Sequence, residues 1–162
     1  MIKLSATLKG LVTGLAMIAT SFIIHAVKGN FDNSLQYITY SLYVAGIIWT
    51  LLSFERLPEN PRTFKAYFTQ GFRCFIVVVL LMVLFTAGFL QMHPELTSQM
   101  GEQYKADLLK QGNKTEQEIQ KLVAAAKSNF MPAMIMAVIF SYLLIGTMIT
   151  AITSGVLLQR KR

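Results

Sequence analysis

The side chains that carry chemistry in most proteins are scarce here and poorly placed for it. Two histidines and a single cysteine are the whole complement of imidazole and thiol. Cys74 has no second thiol for an intramolecular disulfide, and no cysteine or histidine stands at a metal-ligand spacing from it, so disulfide scaffolds and zinc sites are excluded. No Gly-x-Ser-x-Gly, Walker loop, His-Glu-x-x-His, Cys-x-x-Cys or pair of carboxylates offers a nucleophile, a phosphate cradle or a metal centre. Proton transfer needs a group whose charge changes near neutral pH. Within the apolar part of the chain only His25 is such a group, and it stands within about a turn of the end of its apolar run, where water reaches it. The expectation is a protein that is not an enzyme, without catalytic, cofactor-binding or metal-binding residues and without a cofactor. His25 is its one proton-handling candidate.

The elements that would hold any such groups are membrane spans. Of 162 residues, 54% are apolar and 14% charged, which excludes a disordered tail and argues against a water-soluble globule. The excess lies in four runs, Leu11 to Val27, Leu35 to Phe54, Cys74 to Gln91 and Pro132 to Leu158, none of which contains Asp, Glu, Lys or Arg. A helix rises ~1.5 Å per residue against a hydrocarbon core of ~30 Å, so each run is close to spanning length. Strands are excluded, because the runs do not alternate and unpaired backbone groups in lipid cost several kcal/mol each. The last run exceeds a perpendicular crossing, so it tilts or projects from the membrane, and Pro132 at its start suits the first turn of a helix. A signal-peptide cut near Ala19 and Ser21 would halve the first run and strand Phe22 to Val27. The fold class is therefore all-α, a polytopic membrane protein of four transmembrane helices forming one membrane domain over residues 1–162.

Direction follows from Lys and Arg, which stay cytoplasmic during insertion. With both termini inside, the parts Met1 to Gly10, Glu55 to Arg73 and Arg160 to Arg162 carry nine basic residues and two acids. The outer parts, Lys28 to Ser34 and Met92 to Met131, carry six of each, so the whole net charge of +7 falls on the inner face. Basic residues there serve topology and anionic headgroups, and nucleic acid is not an expected partner.

Two connections have structure of their own. After the turn-rich Leu57-Pro58-Glu59-Asn60-Pro61, Thr63 is placed as an N-cap and Phe64, Tyr67, Phe68, Phe72 and Phe75 recur at helical spacing. This predicts a short cytoplasmic interfacial helix, aromatic side in the headgroups, bending at Gly71 into the third span. A docking site for a cytoplasmic partner is the alternative. Between the third and fourth spans, an extracytoplasmic helical segment over about residues 94–128 reads as a hairpin. Pro94 opens the first arm through Gln111, Gly112-Asn113 breaks it, and the capping box Thr115-Glu116-Gln117-Glu118 starts a second arm through Lys127. The apolar stripe on each arm packs against the other arm or the span ends, or else faces a partner.

Small residues at four-residue spacing let helices approach closely, and in lipid such packing drives association. Gly10 and Gly14 in the first span, and Gly146, Thr150 and Ser154 in the last, are the helix-packing candidates. Packing within the chain and between protomers are both open. In the second span, Tyr37 and Trp49 fit the outer and inner aromatic belts, whereas Tyr43 lies deep and needs a hydrogen-bond partner in the bundle.

The four-span layout, the stretch Thr63-Phe64-Lys65-Ala66-Tyr67-Phe68-Thr69-Gln70-Gly71-Phe72-Arg73, and the last span with Leu143-Leu144-Ile145-Gly146-Thr147-Met148-Ile149 ending in Gln159-Arg160-Lys161-Arg162 resemble a known family. It is the uncharacterised family of small bacterial inner-membrane proteins labelled domain of unknown function four-one-nine-nine. The resemblance covers nearly the whole chain and implies four spans, a polar segment between the third and fourth, and a multi-pass place in the bacterial inner (cytoplasmic) membrane. It implies no activity and no site residues. Two function classes follow: a non-enzymatic accessory or assembly protein with a membrane-protein partner or homo-oligomeric contacts in the lipid bilayer, and, as the alternative, a small transporter or channel-like oligomer.

Overall fold

The computed structural model describes residues 5–28, 33–112 and 114–160, without the side chains of 25–28 and 33–36. His25 is thus within a described helix, but its side chain lies outside the described residues, as do Asn113, Lys3, Lys161 and Arg162. Among the described residues there are five helices and no strands: α1 (Ala6–Lys28), α2 (Asn33–Glu55), α3 (Phe64–Met92), α4 (Glu95–Gln111) and α5 (Glu116–Gln159). Four of them, α1, α2, α3 and α5, are long and apolar enough to cross a membrane. The protein is an integral membrane protein.

The chain divides into two compact units. One comprises residues 1–82 with 139–162, and the other residues 83–138. In the first, pairwise contacts give the helix directions. Gly10 and Gly14 of α1 face Cys74 and Leu81 of α3, so these two run parallel. Thr13 of α1 meets Gly46 of α2 while Lys9 lies by Trp49, so that pair is antiparallel, as are α3 and α5, where Gly71 meets Thr150 and Phe75 meets Gly146. The start of α1 and the end of α5 therefore share one end of this unit.

The sides of α5 differ in kind. Phe140, Leu144, Met148, Ile152 and Val156 form an exposed apolar ridge at strict four-residue spacing, whereas Tyr142, Gly146, Thr150, Ser154 and Leu157 are buried. Large apolar residues make up the ridge, and the small residues Gly146, Thr150 and Ser154 lie on the buried side, the arrangement expected where lipid is as apolar as any core.

In the second unit, α4 packs beside the first turns of α5. Gly101 leaves room for the stem of Lys127, whose Nζ lies 3.9 Å from Glu102 Oε1, and Leu108 and Ile119 are buried. Gly112, at φ +65°, ends α4 in the left-handed conformation that favours glycine. Thr115 N donates to Glu118 Oε2 at 2.8 Å and Glu118 N donates to Thr115 Oγ1 at 3.4 Å, the reciprocal bonds of a capping box. The bond from Thr115 N, together with one that Thr115 Oγ1 donates to Glu118 Oε2 at 2.9 Å, holds the Glu118 carboxyl below the usual carboxylate range.

Three local expectations need correction. The interfacial helix and the third span are one continuous helix, α3, through Gly71, which sits against Thr150. A helical glycine costs only ~1 kcal/mol and removes no hydrogen bond, so the helix has no reason to stop there. Nor do its aromatic residues form one headgroup-facing side: Phe64 and Phe72 are exposed, but Tyr67 and Phe75 are core. Finally, Pro132 does not open a helix; it lies inside α5, which runs unbroken from Glu116. Proline within membrane helices is tolerated, because nearby groups satisfy the freed carbonyl.

Candidate functional site

Most of the buried polar side chains belong to the first unit, towards the end where α1 starts, and each has a local origin. On α1, Thr13 Oγ1 donates to Lys9 O at 2.8 Å. On α2, Thr50 Oγ1 lies 2.9 Å from Gly46 O and 3.2 Å from Cys74 Sγ, which joins α2 to α3 through a hydroxyl and a thiol. Tyr43, fully buried, donates to Tyr142 O of α5 at 2.9 Å, and its ring meets that of Tyr142 edge-on at 5.2 Å. This supplies the partner that its depth in the second span demanded.

Glycines bring these helices together. A Cβ on Gly10 would meet the Cys74 carbonyl, one on Gly46 the Thr13 side chain, one on Gly71 that of Thr150, and one on Gly146 the Tyr43 hydroxyl and, at 2.8 Å, Phe75 Cγ. A Cβ on Gly14 would lie 2.6 Å from Leu81 Cδ1. Gly10, Gly14, Gly146 and Thr150 thus meet other helices of the same chain, and Thr150 and Ser154 are fully buried. Unlike the hydroxyls of Thr13, Tyr43 and Thr50, Thr150 Oγ1 and Ser154 Oγ have no hydrogen-bond partner among the described residues.

The loop from α2 to α3 is built on Asn60. This buried side chain donates from Nδ2 to Tyr67 Oη at 2.9 Å and to Phe54 O at 3.4 Å, while its Oδ1 accepts from Arg62 N at 2.9 Å. Arg62 takes φ +49°, a conformation costly for a side chain with a Cβ. Thr63 caps α3, accepting from Ala66 N at 3.3 Å.

Sequence reasoning missed three of these groups. In the sequence Asn60 is only one residue of a turn, and Cys74 is a thiol with no disulfide or metal partner, with nothing to mark it as a partner of Thr50. Lys9 was assigned to the cytoplasmic flank, yet α1 begins at Ala6 and carries Lys9 into the bundle, 8% exposed, with its ammonium 5.5 Å from the Trp49 ring centroid. The one available signal was helical spacing, which places Lys9 in line with Thr13. Among the described residues no three His, Cys, Asp or Glu side chains gather where they could hold a metal ion.

What these helices assemble is packing and hydrogen bonding around glycine contacts, and the family comparison agrees in scope: the model described as Protein of unknown function (DUF4199) matches residues 9–159. The chain belongs to the DUF4199 family. This is the family that the sequence resembled, and the DUF4199 match starts at Lys9 and ends on the last residue of α5. It therefore takes in every buried polar group described above. No curated protein and no solved structure matches the chain.

Proposed function

We propose that this DUF4199 protein acts without chemistry of its own, as an accessory or assembly protein of the bacterial inner membrane, with both termini cytoplasmic and α4 and the start of α5 forming an extracytoplasmic hairpin. The supporting observation is the use made of its polar groups. The hydroxyls of Thr13, Tyr43 and Thr50 and the Cys74 thiol are engaged within the bundle, and its small residues are spent on close helix contacts. Such a bundle is a scaffold, and a scaffold works through its surfaces. The shared end of α1 and α5 supports a common side for the termini, and the exposed Arg56, Arg62, Lys65, Arg73 and Arg160 favour the cytoplasm.

The unpartnered hydroxyls of Thr150 and Ser154 favour a second reading, a small transporter or channel-like oligomer whose polar path is lined by hydroxyls. Purification in mild detergent separates the two. A foreign membrane protein at fixed stoichiometry supports the accessory reading, and a symmetric homo-oligomer with a hydrated axis overturns it.

A further inference from the structure

Lys9 is the one buried cation among the described residues, and no carboxylate there lies within ion-pair distance of it. The Trp49 ring lies with its centroid 5.5 Å from the ammonium. One aromatic face returns a small part of the hydration that an ammonium loses on burial, so the site lacks an anion. Lys9 is the fourth residue of α1 and Trp49 stands six residues before the end of α2. Both are thus about one to two turns inside the helix ends, the depth at which headgroups give way to acyl chains and where tryptophan concentrates. The surface beside them is apolar: Leu8, Val12 and Trp49 are 40%, 45% and 43% exposed.

We propose that Lys9 and Trp49 form a binding site for the phosphate of an anionic phospholipid, with the ammonium on the phosphate and Val12 and the indole against the upper acyl chain. The choice of a net negative headgroup comes from the lack of a counter-charge: among the described residues no carboxylate pairs with Lys9, and a zwitterionic headgroup would bring its own cation against it. The apolar surroundings and this depth favour a lipid over free phosphate.

The test is native mass spectrometry of the full-length protein released from nanodiscs of phosphatidylglycerol and phosphatidylcholine. The native chain retains phosphatidylglycerol preferentially, Lys9→Arg keeps this, and Lys9→Gln loses it about fivefold, the effect of the ~1 kcal/mol that one basic side chain contributes at an anionic surface. Equal retention by Lys9→Gln, or an equal loss in Lys65→Gln at an exposed lysine, overturns the site. So does inorganic phosphate that displaces the lipid and stabilises the protein by itself, which would make the ligand a soluble one. Should Lys9→Gln not fold, amine-reagent labelling of the native chain decides: phosphatidylglycerol slows modification of Lys9 at least fivefold relative to Lys65, and equal ratios in the two lipids refute the proposal.

Discussion

Replacing Gly146 with alanine tests the glycine contacts at a point where two other helices close on one residue. The new Cβ would fall against the Tyr43 hydroxyl and 2.8 Å from Phe75 Cγ, inside normal van der Waals separation. Overpacking of this kind costs roughly 1–3 kcal/mol. Displacing Tyr43 also weakens its bond to Tyr142 O, now 2.9 Å, for about 1 kcal/mol more. Against this, alanine gains about 1 kcal/mol over glycine as a helix former. The net expectation is a loss of ~1–3 kcal/mol, read as a lower midpoint of reversible unfolding in mixed micelles. Tyr43→Phe alone removes one hydrogen bond, for ~1 kcal/mol, and no carbonyl is orphaned because Tyr142 O is still within the helical ladder. In the double variant the hydroxyl that the new methyl strikes is gone, while Phe75 still resists. The pair should be less destabilised than the sum of the single changes by ~1 kcal/mol. Strict additivity, or a neutral Gly146→Ala, would refute the reasoning that Gly146 is there to admit Tyr43.

Thr150→Val exchanges a buried, unpartnered hydroxyl for a methyl of similar size, so stability should be unchanged or rise by up to ~2 kcal/mol in the same unfolding assay, whereas Thr50→Val, which breaks contacts to Gly46 O and Cys74 Sγ, should lower it by ~1 kcal/mol. Because the Glu118 carboxyl is held below the usual range by Thr115, its contribution to the α5 cap is complete above the ordinary carboxylate pKa and disappears as pH falls through the lowered value. Hydrogen-exchange protection over residues 116–127 should hold from neutral pH to about pH 5 and decline below pH ~4, and Thr115→Ala, which removes the hydroxyl but keeps the backbone N–H donor, should reduce that pH dependence without abolishing it. His25→Gln should leave any partner pull-down intact at normal protein level; loss of the interaction there, with Gly146→Leu harmless, would transfer the function to proton-linked transport.

How much of this was legible beforehand varies by element. The four apolar runs require helices wherever they occur, since lipid offers no partner to a backbone amide, and that argument needs no neighbours. The stops and starts at Thr63, Gly112 and Thr115-Glu118 are equally local, because a cap involves residues at most three apart. Tyr43 announced that it needed a partner without saying which. The sequence could not assign the faces. Along α3, Tyr67, Phe68, Phe72 and Phe75 are all aromatic, and in a membrane hydropathy does not separate a side chain that meets lipid from one that meets another helix. Only the match of shapes across helices far apart in the chain placed Tyr67 and Phe75 inside and Phe72 outside. The same holds for Gly71 and Pro132, which read as joints from their backbone preferences alone but lie inside continuous helices, Gly71 packed against Thr150. Lys9 entered the bundle for a like reason: charge marks the flank of a span, but the first turn of α1 and the face of Trp49 opposite decide whether that flank lies in water or between helices.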